Sequence, residues 1–318
     1  MGDSLTEEQI QRAESVGLKT DKVLELLHRV QREVEEGLLP SAQVAIARDG
    51  KVGVFESYGS ARSDSLTCIF SATKAITSSA AWILIQEGKL SEDEIVADIV
   101  PEFGTNEKDQ ITVEQLFTHT AGFPSAPFAP LEWVNKEKRY GRFAKWRLNW
   151  EPGSRYEYHP SSSMWVIGDI IERRGEQSYT EFVKEKVLDP LGLTNLIVGM
   201  SEEQSRRALD VAHSGDPLTS EDYAKMGIPE PPITEVTEEA LLNFNRAEIQ
   251  AVGVPGGGGY ANAHDLALFY QALLHGGLGD VQIWSDETLG LARKVRSGEL
   301  RDPLFLSLIH ISEPTRPY

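Results

Sequence analysis

A serine and a lysine stand three residues apart in Ser71-Ala72-Thr73-Lys74, the only S-x-x-K pattern in the chain. Positions i and i+3 share one face of a helix, so the Ser71 hydroxyl and the Lys74 amine can meet there. A hydroxyl is a weak nucleophile until a base takes its proton, and a buried lysine loses its charge more readily than an exposed one. The pattern therefore indicates nucleophilic catalysis, and a helix-capping serine followed by an exposed lysine is the structural alternative.

Histidines and glycines elsewhere favour structural roles. His119 lies in Thr118-His119-Thr120, and we expect it to pin a turn through hydrogen bonds rather than to form a triad with Ser71. The run Gly256–Gly259 lacks the surrounding pattern of a phosphate-binding loop, so close backbone approach near the site is its expected use. No His, Glu and Asp cluster has metal-ligand spacing, and we expect neither a metal nor a cofactor.

Four tryptophans are candidates for an apolar acyl pocket, although we expect most of them to pack in the core. They are Trp133, Trp146, Trp150 and Trp165.

Hydrophobic periodicity predicts the elements that position the serine and lysine. Residues 71–87 form a predicted helix that is apolar nearly all round, so it should be buried. Asp49-Gly50 joins two β-prone runs, Gln43–Ala47 and Val52–Tyr58, and is a strong hairpin signal. The proline- and acid-rich stretch 214–238 is predicted to be a surface loop or lid. Further helices are predicted at 21–36 with Asp21 as N-cap, at 112–117 with Thr112 as cap, and at 161–174, 179–187 and 264–274.

The composition excludes several classes of protein. The 318 residues include 31 Lys and Arg against 49 Asp and Glu, a net charge of −18 that opposes binding to nucleic acid or to an anionic membrane. Cys68 is the single cysteine, which rules out an internal disulfide. The longest apolar stretch, 80–85, is too short to cross a bilayer. The first residues have neither the basic start nor the apolar run of a secretory signal, and we expect a cytoplasmic protein.

Several segments stand in a characteristic order between Leu38 and about Leu274. In chain order they are the hairpin 42–58, the nucleophile segment 70–74, the stretch 111–122 (ITVEQLFTHTAG), then 152–158 (PGSRYEY), 189–193 (DPLGL) and 256–266 (GGGGYANAHDL). This series resembles the serine β-lactamase-related family, which comprises class C-type β-lactamases, D,D-peptidases and carboxylesterases of the same fold.

The resemblance implies a role for each matching residue. Ser71 corresponds to the acylated nucleophile and Lys74 to the lysine of S-x-x-K. Tyr158 corresponds to the tyrosine of the family's Y-x-N motif, whose phenolate acts as general base and later as acid. Unperturbed tyrosine and lysine titrate near ~10 and ~10.4, so we expect neighbouring cations to lower the pKa of Tyr158 and burial to lower that of Lys74.

The chain departs from the family at the third place of this motif, where Pro160 replaces Asn. That Asn orients an amide side chain of the substrate, so its absence favours ester hydrolysis. His159 follows the proposed base directly, and Gly257 and Gly258 lie in the glycine run. We expect these three residues to contact the substrate.

The resemblance implies an α+β fold in which an antiparallel sheet is flanked by helices and joined to a mainly helical region. We expect one catalytic domain over 1–305, with its α/β part at about 1–75 and 250–305 and its helical part at about 76–249. The family's third motif, Lys- or His-x-Gly or Trp-Gly-Gly on a late strand, is absent from 280–318. We therefore expect the C-terminal strands to be missing and the chain to be poorly soluble and weakly active or inactive.

The last residues, 306–318, resemble the translated end of a sequencing-library adapter. We expect them to be a non-native tail, with the native reading frame ending near Phe305.

The leading function is that of a serine hydrolase acting on short-chain carboxylic esters through a Ser71 acyl-enzyme, which water then hydrolyses. Two alternatives remain open. One is a β-lactamase or D,D-peptidase acting on an amide, and the other is a catalytically silent binding or scaffold protein of the same fold. In the first two cases the partner is a small-molecule ester or amide, with no nucleic acid and no membrane.

Overall fold

Two helices and a β-hairpin form the N-terminal part of the computed structural model, which describes residues 4–216, 218–227, 237–296 and 298–301. Helices α1 (Glu7–Ser15) and α2 (Thr20–Glu35) pack on a hairpin of strands β1 (Ser41–Arg48) and β2 (Lys51–Gly59). The predicted turn is confirmed, because Asp49 and Gly50 both have positive φ, as a tight two-residue hairpin turn requires. The predicted cap of α2 is wrong: the N-cap is Lys19, and Asp21 lies in the first turn, where its charge favours the helix dipole.

The remaining helices fill most of the chain after the hairpin. They are α3 (Thr73–Gln86), α4 (Val96–Ile99), α5 (Val113–Phe117), α6 (Lys136–Lys145), α7 (Ser162–Gly175), α8 (Tyr179–Val183), α9 (Glu202–Ser205), α10 (Ser220–Met226), α11 (Glu238–Leu242), α12 (Ala247–Val252), α13 (Ala263–His275) and α14 (Asp286–Ala292). Short 3-10 turns lie at Phe70–Ala72, Pro101–Phe103, Pro130–Glu132 and Asn243–Asn245, and a π-helical turn at Lys184–Leu188 extends α8. The predicted cap of α5 by Thr112 is confirmed by its hydrogen bond from the Gln115 N–H.

A small antiparallel sheet places the predicted nucleophile beside the glycine run. Its strands are β3 (Thr67–Cys68), β4 (Leu196–Val198) and β5 (Gly259–Ala261), in the order β3-β5-β4. Since β3 leads into Ser71 and β5 begins at Gly259, their pairing brings these two segments together. A further two-stranded sheet joins β6 (Gly277–Leu278) to β7 (Val281–Gln282). Antiparallel strands flanked by helices confirm the predicted α+β class.

Helix α3 is the central buried element, as its sequence predicts. Ile76, Ala80 and Leu84 have no exposed surface, and the helix packs against α7. On another side the fully buried Trp284 donates from Nε1 to the Ser79 carbonyl over 2.9 Å. Contacts on several sides therefore fix the orientation of the helix that follows Ser71.

Charged side chains join the helical elements through a buried ion-pair network. Asp169 on α7 has no exposed surface and accepts from Arg139 Nη1 and Arg173 Nε, both at 2.8 Å. Arg139 also pairs with Glu172 at 2.6 Å, and Arg173 with Glu102 at 2.8 Å. The network thus connects α6, α7 and the turn Pro101–Phe103.

Some predictions fall wholly or partly outside the described residues. The expected tail 306–318 lies outside them, as do residues 217 and 228–236 of the predicted loop or lid. The described part of that loop contains the exposed helix α10. The proposed division into α/β and helical parts stays a prediction, and β4 lies within the range expected to be mainly helical.

No helix within the described ranges combines the length and the hydropathy needed to cross a membrane. The same ranges contain no group of three or more His, Cys, Asp and Glu side chains that could hold a metal ion.

Candidate active site

Ser71 lies in a strained turn at the start of the central helix. The 3-10 turn Phe70–Ala72 precedes α3, so the α-helix begins at Thr73, two residues later than its sequence predicts. Phe70 has a φ of +41°, a left-handed conformation that costs a bulky residue about 1–3 kcal/mol. Ser71 is exposed immediately before the largely buried helix α3.

Lys74 reaches Ser71 across the turn, as the S-x-x-K spacing predicts. Its Nζ lies 3.1 Å from Ser71 Oγ and donates to the carbonyl oxygens of Pro160 and Gly256, each at 2.7 Å. Burial lowers the pKa of Lys74 to about 7, because the surrounding protein replaces the water that stabilises the ammonium ion. The amine is therefore neutral in a large fraction of molecules at neutral pH, which confirms the expected effect of burial.

Tyr158 approaches the same serine from the other side. Its hydroxyl donates to Ser71 Oγ over 2.7 Å, and Lys74 Nζ lies 5.0 Å from the centre of its ring. Burial raises the pKa of Tyr158, and the hydrogen bond to Ser71 opposes this only in part. The expectation that neighbouring cations lower this pKa is wrong, because burial of the phenol is the largest effect and raises it. Tyr158 is thus a protonated donor in the resting protein.

His159 does not line a pocket, contrary to its predicted contact with the substrate. Its side chain has no exposed surface. Nε2 accepts from the Phe123 N–H over 3.2 Å, and Nδ1 lies 2.7 Å from the Glu157 carbonyl oxygen. Both ring nitrogens are therefore used to hold the backbone around Tyr158, and the ring is not available to a substrate.

His119 lies beside Tyr158 in a left-handed conformation, with a φ of +57°. Its Nδ1 accepts from the His159 N–H over 3.1 Å, and its carbonyl oxygen accepts from the Glu157 N–H over 3.2 Å. Burial, with smaller effects of His159 and Lys74, lowers the pKa of His119 to about 3. Because Nδ1 already accepts a backbone hydrogen bond, it is not free to take a proton from Ser71. The geometry agrees with the structural role predicted for this residue.

The glycine run contributes backbone to the site at two positions. The Gly256 carbonyl accepts from Lys74, and Gly257 lines the cavity described below. Gly258 does not line it: a Cβ there would lie 2.4 Å from the Val254 backbone nitrogen, so this glycine is needed for close packing. Behind Gly257 lies Cys68, which is 5% exposed and whose Sγ is 3.7 Å from the Gly257 carbonyl oxygen.

An apolar cavity of about 430 Å³ opens beside Ser71. This volume is typical of a site for a small molecule. Trp165 lines the cavity, in agreement with one of the four tryptophan predictions, whereas Trp133 and Trp146 are buried in the core. Most of the remaining lining is apolar and comes from α11, α12 and two loops: Phe128, Pro130, Leu131, Leu241, Phe244 and Ile249. No local pattern marks these residues, because their proximity depends on how distant segments pack.

Comparison with known proteins identifies the family to which the chain is similar. The profile of the family described as Beta-lactamase matches residues 27–304. "Protein flp" of Staphylococcus aureus (strain MRSA252) is 29% identical over 192 residues, which is 56% of this chain and 38% of that protein. An Escherichia coli (strain K12) protein, whose name assigns it provisionally as a D-alanyl-D-alanine carboxypeptidase, is 25% identical over 312 residues, or 87% of this chain and 69% of that protein.

A solved structure supports the same fold. A family VIII carboxylesterase superposes with a TM-score of 0.68 and 24% identity, covering 91% of this chain and 76% of that one. At this level of identity the likeness establishes the fold, and the substrate has to be argued from the site itself.

Proposed function

The chain belongs to the beta-lactamase family, and from that premise we propose that it is a serine hydrolase that cleaves carboxylic esters through an acyl-enzyme on Ser71. The single observation that carries this proposal is the contact of Ser71 Oγ with Lys74 Nζ at 3.1 Å and with the Tyr158 hydroxyl at 2.7 Å. A serine placed between a lysine of lowered pKa and a phenol that remains protonated has both a proton acceptor and a proton donor in reach.

Lys74 is the proposed general base. A neutral amine has two N–H groups and one lone pair, and the Pro160 and Gly256 carbonyls take the two N–H groups. The lone pair then faces Ser71 Oγ. As Oγ attacks the ester carbonyl carbon, its proton passes to Nζ and the carbonyl oxygen becomes an oxyanion. By the family resemblance, we expect the Ser71 N–H to stabilise that oxyanion.

Tyr158 is the proposed acid in the next step. When the tetrahedral intermediate collapses, the carbon–oxygen bond to the alcohol breaks and the departing alkoxide takes the phenol proton. The Lys74 ammonium then returns a proton to the phenolate, which leaves both groups ready for a water molecule to attack the acyl-enzyme by the same route. This order assigns the base role to Lys74, whereas the family resemblance by itself assigns it to Tyr158.

The cavity supports an ester with an apolar acyl group as the substrate. Most of its lining is apolar, with Ser161, Asn243 and Arg246 as polar members beside Ser71. The position of the family's amide-orienting Asn is held by Pro160, whose carbonyl already binds Lys74. The second candidate function, peptidase or β-lactamase activity, is supported by the name of the Escherichia coli relative.

Pre-steady-state kinetics with p-nitrophenyl butyrate test the proposal. We expect a burst of p-nitrophenol and an acyl adduct on Ser71 in intact-mass spectra, both lost in Ser71→Ala. Ser78→Ala is a matched control, since Ser78 lies on α3 one helical turn beyond Lys74 and outside the contacts of the nucleophile. Parallel assays use nitrocefin and a D-alanyl-D-alanine peptide. A faster reaction with either of them would favour the second candidate, and the absence of any burst would favour a silent scaffold.

A further inference from the structure

We propose that His119 and His159 together form a clamp that positions the Tyr158 hydroxyl against Ser71, and that neither ring transfers a proton itself. This inference rests on the proposed function, because it gives a purpose to the placement of Tyr158. We call the two residues the histidine clamp.

His119 holds the backbone on both sides of Tyr158. Its carbonyl oxygen accepts from the Glu157 N–H over 3.2 Å, and its Nδ1 accepts from the His159 N–H over 3.1 Å. Its ring also packs on the phenol, with the two ring centres 5.0 Å apart and the planes inclined by 49°. One residue thus fixes both backbone neighbours and one face of the ring, which leaves the Tyr158 side chain little freedom of direction.

His159 anchors this segment to the interior. Since Nε2 accepts from the Phe123 N–H, the ring proton of the neutral imidazole must lie on Nδ1, which then donates to the Glu157 carbonyl over 2.7 Å. The side chain is completely buried, and its ring stands edge-on to the Phe123 ring at 5.3 Å. The segment that carries Tyr158 is therefore tied to the buried core around Phe123.

The backbone of His119 indicates that its placement is maintained at some energetic cost. A φ of +57° is unfavourable for a residue with a Cβ, although His, Asn and Asp tolerate it better than most. Strain of this kind persists where surrounding contacts over-determine the conformation, and here His119 contacts Tyr156, Glu157, Tyr158 and His159. The lowered pKa of His119 agrees with a ring that stays neutral and keeps Nδ1 as an acceptor.

Two substitutions separate the hydrogen bond from the backbone conformation. His119→Asn and His119→Gly both suit the left-handed backbone, but only Asn supplies a side-chain oxygen that can accept from the His159 N–H. We expect His119→Gly to lower kcat for p-nitrophenyl butyrate by about 10- to 100-fold with KM nearly unchanged, since a misplacement near 1 Å has effects of this order. His119→Asn should recover most of that loss.

Glu176→Gly is the matched control. Glu176 also has a φ of +57° but is exposed at the end of α7, away from Ser71. We expect it to leave kcat unchanged, and thermal melting checks that each variant is folded. Equal losses in His119→Gly and His119→Asn would contradict a role for the Nδ1 hydrogen bond.

Adding His119→Gly to the Tyr158→Phe variant tests whether the histidine clamp acts through the phenol. If it does, His119→Gly causes little further loss of kcat when the hydroxyl is already absent. A full multiplicative loss in the double variant would overturn the proposal, because His119 would then act by another route.

A crystal structure of His119→Gly separates the clamp from the proposed function. We expect the Tyr158 hydroxyl to leave hydrogen-bond distance of Ser71 Oγ, from its present 2.7 Å. An unchanged distance overturns the clamp whatever the activity. A lost contact combined with full activity of Tyr158→Phe would instead keep the clamp and overturn the catalytic role of Tyr158.

Discussion

The chemistry proposed at Ser71 depends on two neighbours, Lys74 and Tyr158, whose ordinary pKa values are nearly the same. Burial moves them in opposite directions, because it disfavours the charged form of each: it lowers the pKa of Lys74 and raises that of Tyr158. The lysine thereby becomes the acceptor and the tyrosine the donor at neutral pH. Burial also removes water from the Lys74 amine. The Pro160 and Gly256 carbonyls replace that water as hydrogen-bond acceptors for its N–H groups.

If Lys74 is the base, the pH dependence of the proposed ester hydrolysis follows from its pKa, which is about 7. Below this value Lys74 is protonated and cannot accept from Ser71, so kcat/KM should fall about tenfold for each pH unit on the acidic side. Above it the rate should reach a plateau. Steady-state assays from about pH 5 to about pH 9 measure this limb.

Lys74→Arg provides a second test of Lys74 as the general base. An arginine keeps its charge throughout this range, so the variant should be inactive at every pH and should not regain activity on the alkaline side. If the acidic limb of the parent protein lay near pH ~10 instead, the base would be a tyrosine with an ordinary or raised pKa.

Element packing determines the shape of the cavity beside the nucleophile. Helix α12 supplies Ile249, α7 supplies Trp165, and the turn 243–245 supplies Phe244. These residues come from three elements in two distant parts of the chain, so the cavity exists only when the elements are assembled.

The apolar lining predicts a preference for longer acyl chains. A buried methylene contributes about 0.8 kcal/mol, so kcat/KM should rise about threefold to fourfold per carbon from p-nitrophenyl acetate until the cavity is filled. Ile249→Trp should reduce turnover of the hexanoate ester more than that of the acetate, because the larger ring occupies the cavity of about 430 Å³. A uniform loss across the series would place the acyl chain elsewhere.

The sequence predicts correctly those features that are determined by residues close together in the chain. The hairpin turn Asp49-Gly50, the capping Thr112 and the S-x-x-K spacing each act over a few residues, and all three appear as their sequence predicts. His159 is misleading for a physical reason: side chains of consecutive residues in an extended stretch point to opposite sides, so a buried neighbour of Tyr158 is to be expected. The direction of the Tyr158 pKa shift also needs burial and distances, which no local pattern contains.

At the scale of the whole molecule, we expect stability to depend on the buried ion pairs around Asp169. The sequence alone does not show which charged residues form these pairs. The network around Asp169 joins residues from 102 to 173 and has no signature in composition or periodicity. It holds α6 against α7, and α7 in turn packs on the helix that follows Ser71.

Removal of the central charge should destabilise the protein strongly. Asp169→Asn leaves Arg139 and Arg173 without their buried carboxylate, and losing one partner of a buried pair costs on the order of 3 kcal/mol or more. Urea denaturation measures the change in the free energy of unfolding. The matched control is Glu202→Gln, whose partner Arg206 is 74% exposed and whose ion pair should contribute about 1 kcal/mol or less. Similar midpoints for the two variants would show that the network is dispensable.

Cys68 gives the protein a built-in reporter of motion at the cavity wall. It is the single thiol of the chain and lies directly behind Gly257. Burial raises its pKa, so the sulfur is protonated and shielded in the closed protein and reacts with a thiol reagent only when this wall opens. The rate of labelling under native conditions therefore measures how often the structure around Cys68 opens. A ligand that fills the cavity should slow that rate without any engineered label.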